Sequence, residues 1–249
     1  MSATGREDLR VYLYHLPSEI PEEGLRGRTA VVIDVLRASS SIATALRNGC
    51  KAVIPTNDME AASTLVQQLG RKSVVLCGER NGKRIDGFDL GNSPSEFSPQ
   101  VVEGQTLVMA TTNGSRAIVR AKTAALALVA SLLNAESVCR HVLKSGNDAA
   151  IVCAGKEGAF SLEDTVCGGL IVSRLIGYAE GGLTDLNDAA AAARVLYAHY
   201  ADDLLGMLRF SRHGRYLAEL GFGDDLSACA QVDTLDVVPV FVDGRVARV

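Results

Sequence analysis

The chain has 249 residues, 47% of them hydrophobic and 22% charged, and its formal net charge at pH 7 is −4. This composition is typical of a folded protein with a sizeable core, and the negative charge excludes a general electrostatic attraction to nucleic acids or anionic membranes. Tryptophan is absent and aromatic residues make up only 5% of the chain, which disfavours a stacking surface for single-stranded nucleic acid.

The N-terminal segment does not predict export or membrane insertion. It carries charges at Arg6, Glu7, Asp8 and Arg10, where a signal peptide would need an apolar stretch. The longest apolar run begins at Ala124 and covers about ten residues, which is too short to span a bilayer. We therefore expect no membrane partner and a cytoplasmic location.

The cysteines agree with a reducing compartment. They are scattered without a CxxC pair, at Cys50, Cys77, Cys139, Cys153, Cys167 and Cys229. Most lie inside apolar runs, which favours buried, reduced thiols over disulfides or zinc ligands.

Six short apolar runs rich in β-branched residues predict strands. They cover residues 30–36, 51–55, 73–78, 106–111, 124–131 and 149–155. Continuous apolar runs of this length are typical of strands that are buried on both faces of a largely parallel sheet.

Helical patterns with recognisable ends separate these runs. We predict one helix that begins at Thr56 or Asn57 and ends at Gly70, a second between Asn134 and Gly146, and a third after Ser161. The alanine-rich segment 185–210 also has a helical pattern.

The alternation of strands and helices predicts an α/β fold, a three-layer α/β/α sandwich. Its sheet should be largely parallel, with a mixed sheet left open. No low-complexity linker or internal repeat divides the chain, so residues 1–249 are predicted to form a single domain.

Polar residues collect just after four of the predicted strands. The four junctions contain Asp34 with Arg37 in DVLRASSS, Glu79 with Arg80 in GERNG, TTNGSR at 111–116, and CAGKEGAFSLED at 153–164. In open α/β sheets ligands bind beyond the carboxyl ends of the strands. We therefore expect these junctions to form one site.

The residue types at these junctions predict binding of a small phosphorylated or otherwise anionic molecule. Glycine-rich turns and helix N-termini offer N–H groups to oxyanions, and arginine grips phosphate with a planar fork. Carboxylates beside such a ligand require a cation, and Mg²⁺ bound by one or two carboxylates and by substrate oxygens meets that need. Because few His or Cys residues lie at these junctions, zinc is disfavoured.

The sequence contains incomplete matches to familiar phosphatase and phosphate-loop motifs. GERNGKR lacks the spacing and the final Ser or Thr of a phosphate-binding loop. Cys153 has no arginine placed to serve a cysteine-dependent phosphatase. SRHG at 211–214 is similar to a histidine-phosphatase motif, but it lies near the C-terminus after a helix rather than after the first strand.

Five segments together resemble the 2-phosphosulfolactate phosphatase family. They read DVLRASSS, GERNGKRIDGFDLGNSP, TTNGSRA, CAGKEGAFSLEDTVCGG and SRHGRYLAELGF, in the order that the family shows. The resemblance implies a Mg²⁺-dependent hydrolase of 2-phospho-3-sulfolactate, a step toward coenzyme M, with an α/β fold particular to the family. It also places Glu79, Arg80, Asp89 and Asn92 in the most characteristic stretch.

The site hypothesis combines the junctions with this resemblance. The predicted catalytic residues are Asp34, Arg37, Glu79, Arg80 and Asp164. The predicted substrate-binding residues are Asn92, Thr112, Asn113, Gly114, Arg116 and Gly155. Metal ligands are expected among Asp34, Glu79, Asp89, Glu163 and Asp164.

Several alternatives stay open at this point. A carboxylate could attack to give an acyl-phosphate, or a water molecule on the metal could attack directly. The protein could be a phosphatase for another small phosphorylated carboxylic acid, a Mg²⁺-dependent lyase or isomerase, or an anion-binding module. The oligomeric state is undetermined, and a homodimer is one option.

Overall fold

The computed structural model describes residues 9–71, 74–179 and 183–249. Within these ranges eleven strands form one mixed sheet, in the order β5-β4-β6-β3-β11-β10-β7-β2-β8-β1-β9. The strands are β1 Leu9–Tyr14, β2 Thr29–Ile33, β3 Ala52–Thr56, β4 Val74–Arg80, β5 Lys83–Arg84, β6 Thr106–Ala110, β7 Leu126–Ala130, β8 Ala149–Cys153, β9 Leu183–Leu186, β10 Pro239–Val242 and β11 Arg245–Arg248.

The described residues also contain ten α-helices. They are α1 Ala38–Arg47, α2 Met59–Leu69, α3 Pro99–Val102, α4 Gly114–Arg120, α5 Ala135–Ser145, α6 Leu162–Tyr178, α7 Asp188–Tyr200, α8 Leu204–Phe210, α9 Arg212–Glu219 and α10 Gly223–Cys229. They pack on both faces of the sheet, so the predicted α/β/α architecture is confirmed.

The alternation of side chains between the two faces of each strand explains why helices pack on both sides of the sheet. In β2, Ala30 and Val32 pack in the cluster that contains α1 and α4, whereas Val31 and Ile33 pack in the cluster that contains α5 and α6. Successive side chains of a strand point to opposite faces, so a continuous apolar run serves both helical layers. Helices α1 and α4 cover one face of β4 and β6, and α2 covers the other face.

Five strands of the described residues were not among the predicted six. The most informative is the hairpin of β10 and β11, whose turn is Asp243-Gly244 with φ values of +49° and +76°. An Asp-Gly pair between apolar runs is a strong hairpin signal, because a type I′ turn needs positive φ at both central residues. The remaining additions are β1, β5 and β9.

The hairpin divides the sheet into two parallel blocks. One block is β4-β6-β3 and the other is β7-β2-β8-β1-β9. Between them the pairs β3–β11, β11–β10 and β10–β7 are all antiparallel, so the two blocks run in opposite directions along the sheet.

The chain segments that follow β2 and β6 nevertheless touch. A Cβ built on Gly114 would lie 2.6 Å from Asp34 Oδ2 and 2.5 Å from the Cβ of Ala38, so only glycine fits there. Strand twist of roughly 20–25° per step, accumulated over the strands between β6 and β2, permits this convergence. The site is built at this meeting point.

The observed helix ends refine the predicted ones. The cap of α2 is Asp58, whose Oδ1 accepts the N–H of Ala61 at 2.8 Å, rather than Thr56 or Asn57. Gly146 ends α5 with φ +69°, and Ser161 caps α6 by accepting the N–H of Asp164.

Two further differences concern α5 and the alanine-rich segment. Asn134 precedes α5, but its Oδ1 accepts the N–H of Ser131 instead of capping the helix. Segment 185–210 contains the end of β9 and the two helices α7 and α8, because Asp203 starts a new helix by accepting the N–H of Gly206. Among the described helices, none is long and apolar enough to cross a bilayer.

Candidate active site

A small, mainly polar cavity lies where the segments after β2, β4, β6 and β8 meet. Its volume is about 10 Å³, which is room for about one water molecule or one ion. It is lined by Asp34, Leu36, Arg37, Glu79, Gly82, Asn92, Asn113, Lys156, His213 and Leu217. We refer to it as the carboxylate cavity.

Asp34 is the carboxylate at the end of β2. Its Oδ1 accepts the N–H of Ala38 at 3.2 Å, which ties it to the start of α1. Burial raises the pKa of Asp34 to about 6; His213 and the Ala38 N–H oppose the rise, and Glu79 and Glu163 add to it. Several carboxylates therefore repel one another here, and a cation would relieve that repulsion.

Glu79 is the second carboxylate of the cavity and lies near the end of β4. Its Oε1 accepts the N–H of Thr112, and its Oε2 accepts the N–H of Gly82, each at 2.8 Å. These bonds fix the carboxylate between the β4–β5 hairpin and the segment after β6.

Two buried side-chain oxygens of the described residues have no hydrogen-bond partner, Asn92 Oδ1 and Thr112 Oγ1. A buried polar atom without a partner costs roughly 1–3 kcal/mol, and proteins keep such atoms mainly where a ligand or ion completes the bonding. Asn92 lines the carboxylate cavity, so its free oxygen is available to a bound group.

Arg37 is a buried cation on the wall of the same cavity. Its Nη1 donates to Asp225 Oδ2 and its Nη2 donates to the carbonyl of Gly82, both at 2.6 Å. The guanidinium also lies 4.2 Å from the ring centre of Phe222. Because a guanidinium has five N–H donors, others remain after these two bonds.

Glu163 and Asp164 open helix α6 behind the cavity. Glu163 Oε1 lies 3.2 Å from His213 Nδ1. Burial by itself raises the pKa of Glu163, but the hydrogen bond and charge of His213 outweigh it and lower the pKa below its ordinary value.

Asp164 joins two of the four junctions. Its Oδ1 accepts the N–H of Val35 at 2.9 Å, and its Oδ2 accepts the N–H of Gly155 at 3.2 Å. Burial, followed by the charges of Asp34 and Glu163, raises the pKa of Asp164 well above its ordinary value. The carboxyl group holds the ends of β2 and β8 together.

Gly155 and Asn113 shape the turns at two of the junctions. Gly155 has φ +69°, and a Cβ there would lie 2.3 Å from Leu16 Cδ2, so the tight turn after β8 requires glycine. Asn113 Oδ1 accepts the N–H of Glu157 at 3.0 Å and joins the turn after β8 to the start of α4.

Eight of the thirteen predicted site residues do not line the cavity, and three of these are exposed or engaged elsewhere. Arg80 is exposed at the β4–β5 hairpin, and Arg116 is exposed on α4. Asp89 pairs with Arg71 Nη2 at 2.6 Å and accepts the N–H of Leu76. The expected convergence of Arg80 with Arg37 has no support from this geometry, because Arg80 does not line the cavity that contains Arg37.

The chain matches a known protein family over most of its length. The chain matches the family model described as 2-phosphosulpholactate phosphatase over residues 14–244. It belongs to this phosphatase family.

Curated relatives cover almost the whole chain. One from Symbiobacterium thermophilum is 44% identical over 226 residues, 91% of this chain and 96% of the relative. One from Caldanaerobacter subterraneus subsp. tengcongensis is 40% identical over 235 residues, 94% of this chain and 95% of the relative. Both carry the name probable 2-phosphosulfolactate phosphatase.

The phosphatase family implies Mg²⁺, and the carboxylate cavity has the chemistry for it. Asp34, Glu79 and the unpaired oxygen of Asn92 are hard oxygen donors around a space for one ion. In the described part of the chain, no three His, Cys, Asp or Glu side chains converge as a metal-binding group. Asp34 and Glu79 line the cavity, and Mg²⁺ is commonly held by one or two carboxylates while substrate and water supply its other ligands.

Of the five carboxylates expected as metal ligands, three do not line the cavity. Asp89 pairs with Arg71, Asp164 accepts the N–H groups of Val35 and Gly155, and Glu163 lies against His213. Asp34 and Glu79 remain as the carboxylates that line the cavity.

Three residues that line the carboxylate cavity or hold one of its walls were not assigned a role from the sequence: Lys156, His213 and Asp225. Lys156 and His213 line the cavity, and both lie inside motifs that the sequence analysis quoted, CAGKEG and SRHG. Asp225, which holds Arg37, lies in α10 and has no local signal that would reveal this contact.

The six cysteines of the described residues are free and buried, as predicted. Burial raises the pKa of Cys153 well above its ordinary value, with a smaller contribution from Asp164, so this thiol is held protonated. A protonated thiol is a poor nucleophile.

Cys153→Ala is therefore expected to keep wild-type turnover. The lost packing should cost about 1 kcal/mol of stability, which lowers Tm by roughly 2–4 °C in a chain of this size. Steady-state kinetics and a melting curve test this, with Cys50→Ala as the matched control because Cys50 is also buried but lies just before β3. A thousandfold loss of kcat in a folded Cys153→Ala variant would contradict the prediction and make this thiol a catalytic participant.

Proposed function

We propose that this protein is a Mg²⁺-dependent phosphatase that hydrolyses 2-phospho-3-sulfolactate to 3-sulfolactate and phosphate. The observation that carries the proposal is the carboxylate cavity, where Asp34 and Glu79 meet the unpaired oxygen of Asn92 beside the buried cation Arg37. Membership of the family specifies the substrate, and the cavity supplies the chemistry of a phosphoryl-transfer site.

In this proposal the residues of the cavity have two tasks. Asp34, Glu79 and Asn92 hold the cation, which when bound neutralises charge on the phosphoryl oxygens. Arg37 donates its remaining N–H groups to those oxygens, and Lys156 adds a second positive charge on the cavity wall.

The surroundings of Arg37 support this role. Asp225, the Gly82 carbonyl and the Phe222 ring fix the guanidinium before any ligand arrives. A donor group that is already oriented stabilises developing charge without having to reorganise during the reaction.

The deciding experiment is a phosphate-release screen over small phosphorylated acids, with and without Mg²⁺. We expect release from 2-phosphosulfolactate, loss of activity in excess EDTA and recovery when Mg²⁺ is added back. Full activity in excess chelator would refute the metal requirement.

The same screen separates the alternatives. Preferred release from a different phosphorylated carboxylic acid would keep the reaction class and change the substrate. Turnover without phosphate release would favour a lyase or isomerase. The free, buried cysteines support a cytoplasmic location for the enzyme.

A further inference from the structure

A second cavity opens directly beside the carboxylate cavity. Its volume is about 200 Å³, and its wall includes Lys156 and His213, which also line the first cavity. A water molecule in the liquid occupies about 30 Å³, so this space holds a small organic group. We call it the basic cavity.

The charged residues around the basic cavity are mainly cations. Arg212 and Arg215 line it together with Lys156, and Glu163 is its carboxylate. Glu163 lies 3.2 Å from His213 and is 2% exposed, so three cations and one carboxylate line this wall.

The three cations differ in how far they are already engaged. Lys156 Nζ lies 2.9 Å from Glu157 Oε1, and Arg215 donates to the carbonyl of Phe210. Arg212 forms no ion pair with any residue that the structure describes, and it is exposed at the first position of α9. Of the three cations, it is therefore the one with neither an ion pair nor a carbonyl contact among the described residues.

The remaining wall is apolar and partly open. Phe160 is 51% exposed and Phe210 is 62% exposed, and both line the cavity. Exposed aromatic side chains grouped with cations are typical of ligand sites, where a ligand covers the apolar surface.

Helices α6 and α9 both begin at this cavity, with Leu162 and Arg212 on its wall. Helix N-termini favour negative charge, so they act in the same direction as the side-chain cations. Cavity, cations and helix starts all favour a second anion held a short distance from the phosphoryl group.

We propose that the basic cavity binds the sulfonate arm of the substrate, with Arg212 as the residue that determines specificity for it. The inference rests on the proposed function, because it requires a phosphoryl group to bind beside the carboxylate cavity. A sulfonate is ionised at every physiological pH and presents three oxygens, which suits the planar fork of an arginine. The methylene that carries it would lie against Phe160 or Phe210.

The test compares two substrates that differ only in this arm. In 2-phospholactate a methyl group replaces the sulfonatomethyl group of 2-phosphosulfolactate, while the phosphate and carboxylate stay the same. We expect Arg212→Ala to lower the ratio of kcat/KM for the sulfonated over the methyl substrate by at least about tenfold, the effect of one charge-assisted contact. Arg212→Glu should lower the ratio further.

Arg194→Ala is the matched control, since Arg194 is an exposed arginine on α7 that lines neither cavity. Its ratio should equal that of the wild type. An unchanged ratio in Arg212→Ala, or an equal fall for both substrates, would overturn the sulfonate assignment.

Failure of the proposed function is recognisable separately. If the wild type released phosphate from neither substrate, the phosphatase proposal would be wrong. Calorimetry with 3-sulfolactate would then still test whether the basic cavity binds the sulfonate. Binding that weakens at least tenfold in Arg212→Ala supports the assignment, and equal binding, or no binding to the wild type, overturns it.

Discussion

Asp34→Asn is expected to lower kcat/KM by roughly a thousandfold, equivalent to about 4 kcal/mol of transition-state stabilisation. The amide keeps the shape of the side chain and an oxygen for the Ala38 N–H, but it loses the charge that would hold a cation. Steady-state kinetics at saturating Mg²⁺ measure this effect.

The same variant should be no less stable than the wild type when both are measured in EDTA. Burial raises the pKa of Asp34 to about 6, above its value in the unfolded chain, so folding disfavours the ionised carboxylate. This cost is present above about pH 6 and absent below the ordinary carboxyl pKa, near 4. At pH 7.5 the neutral amide avoids it, and Tm should be unchanged or higher.

Asp58→Asn is the control for this pair of measurements. Asp58 caps α2, and asparagine caps helices about as well as aspartate, so kinetics and Tm should both match the wild type. Wild-type activity in Asp34→Asn would remove Asp34 from the mechanism, and a much lower Tm would mean that the lost activity reflects unfolding.

The second large effect is expected at Arg37. Arg37→Lys keeps a positive charge but cannot reach Asp225, the Gly82 carbonyl and a phosphoryl group at the same time. Losing a charge-assisted contact to the transition state corresponds to roughly 1.5–3 kcal/mol, or about ten- to a hundredfold in kcat/KM.

Arg37→Ala should also damage the fold, because it leaves Asp225 as a buried carboxylate without its partner. Breaking a buried ion pair in this way costs about 3–5 kcal/mol, so Tm should fall by roughly 6–20 °C. Asp225→Asn in the Arg37→Ala background should recover part of that loss, because it removes the unpaired charge.

Arg80→Lys gives the informative contrast with Arg37→Lys. The sequence predicts a catalytic role for Arg80, whereas the structure places it exposed at a hairpin. Kinetics within about twofold of the wild type are expected for an exposed side chain. Equal losses in both variants would restore the predicted convergence of the two arginines, and wild-type kinetics in Arg37→Lys would make that guanidinium purely structural.

The sequence by itself determined the layers of the fold and the chemical character of the site. Apolar runs such as 149–155 are local signals of buried strands, and the α/β/α architecture follows from their alternation with capped helices. Asp34 and Glu79 were identified because a polar residue directly after a buried strand is also a local signal.

The tertiary structure alone decided which of these residues meet. The C-terminal hairpin reverses the strand direction between the two parallel blocks, so the rule that parallel strands end at one edge does not by itself bring β2 and β6 together. Their meeting requires the close approach that Gly114 permits between the segments after β2 and β6. Arg37 is buried, unlike Arg80, and its buried guanidinium is paired with Asp225, far along the chain. No local sequence pattern specifies a partner at that distance.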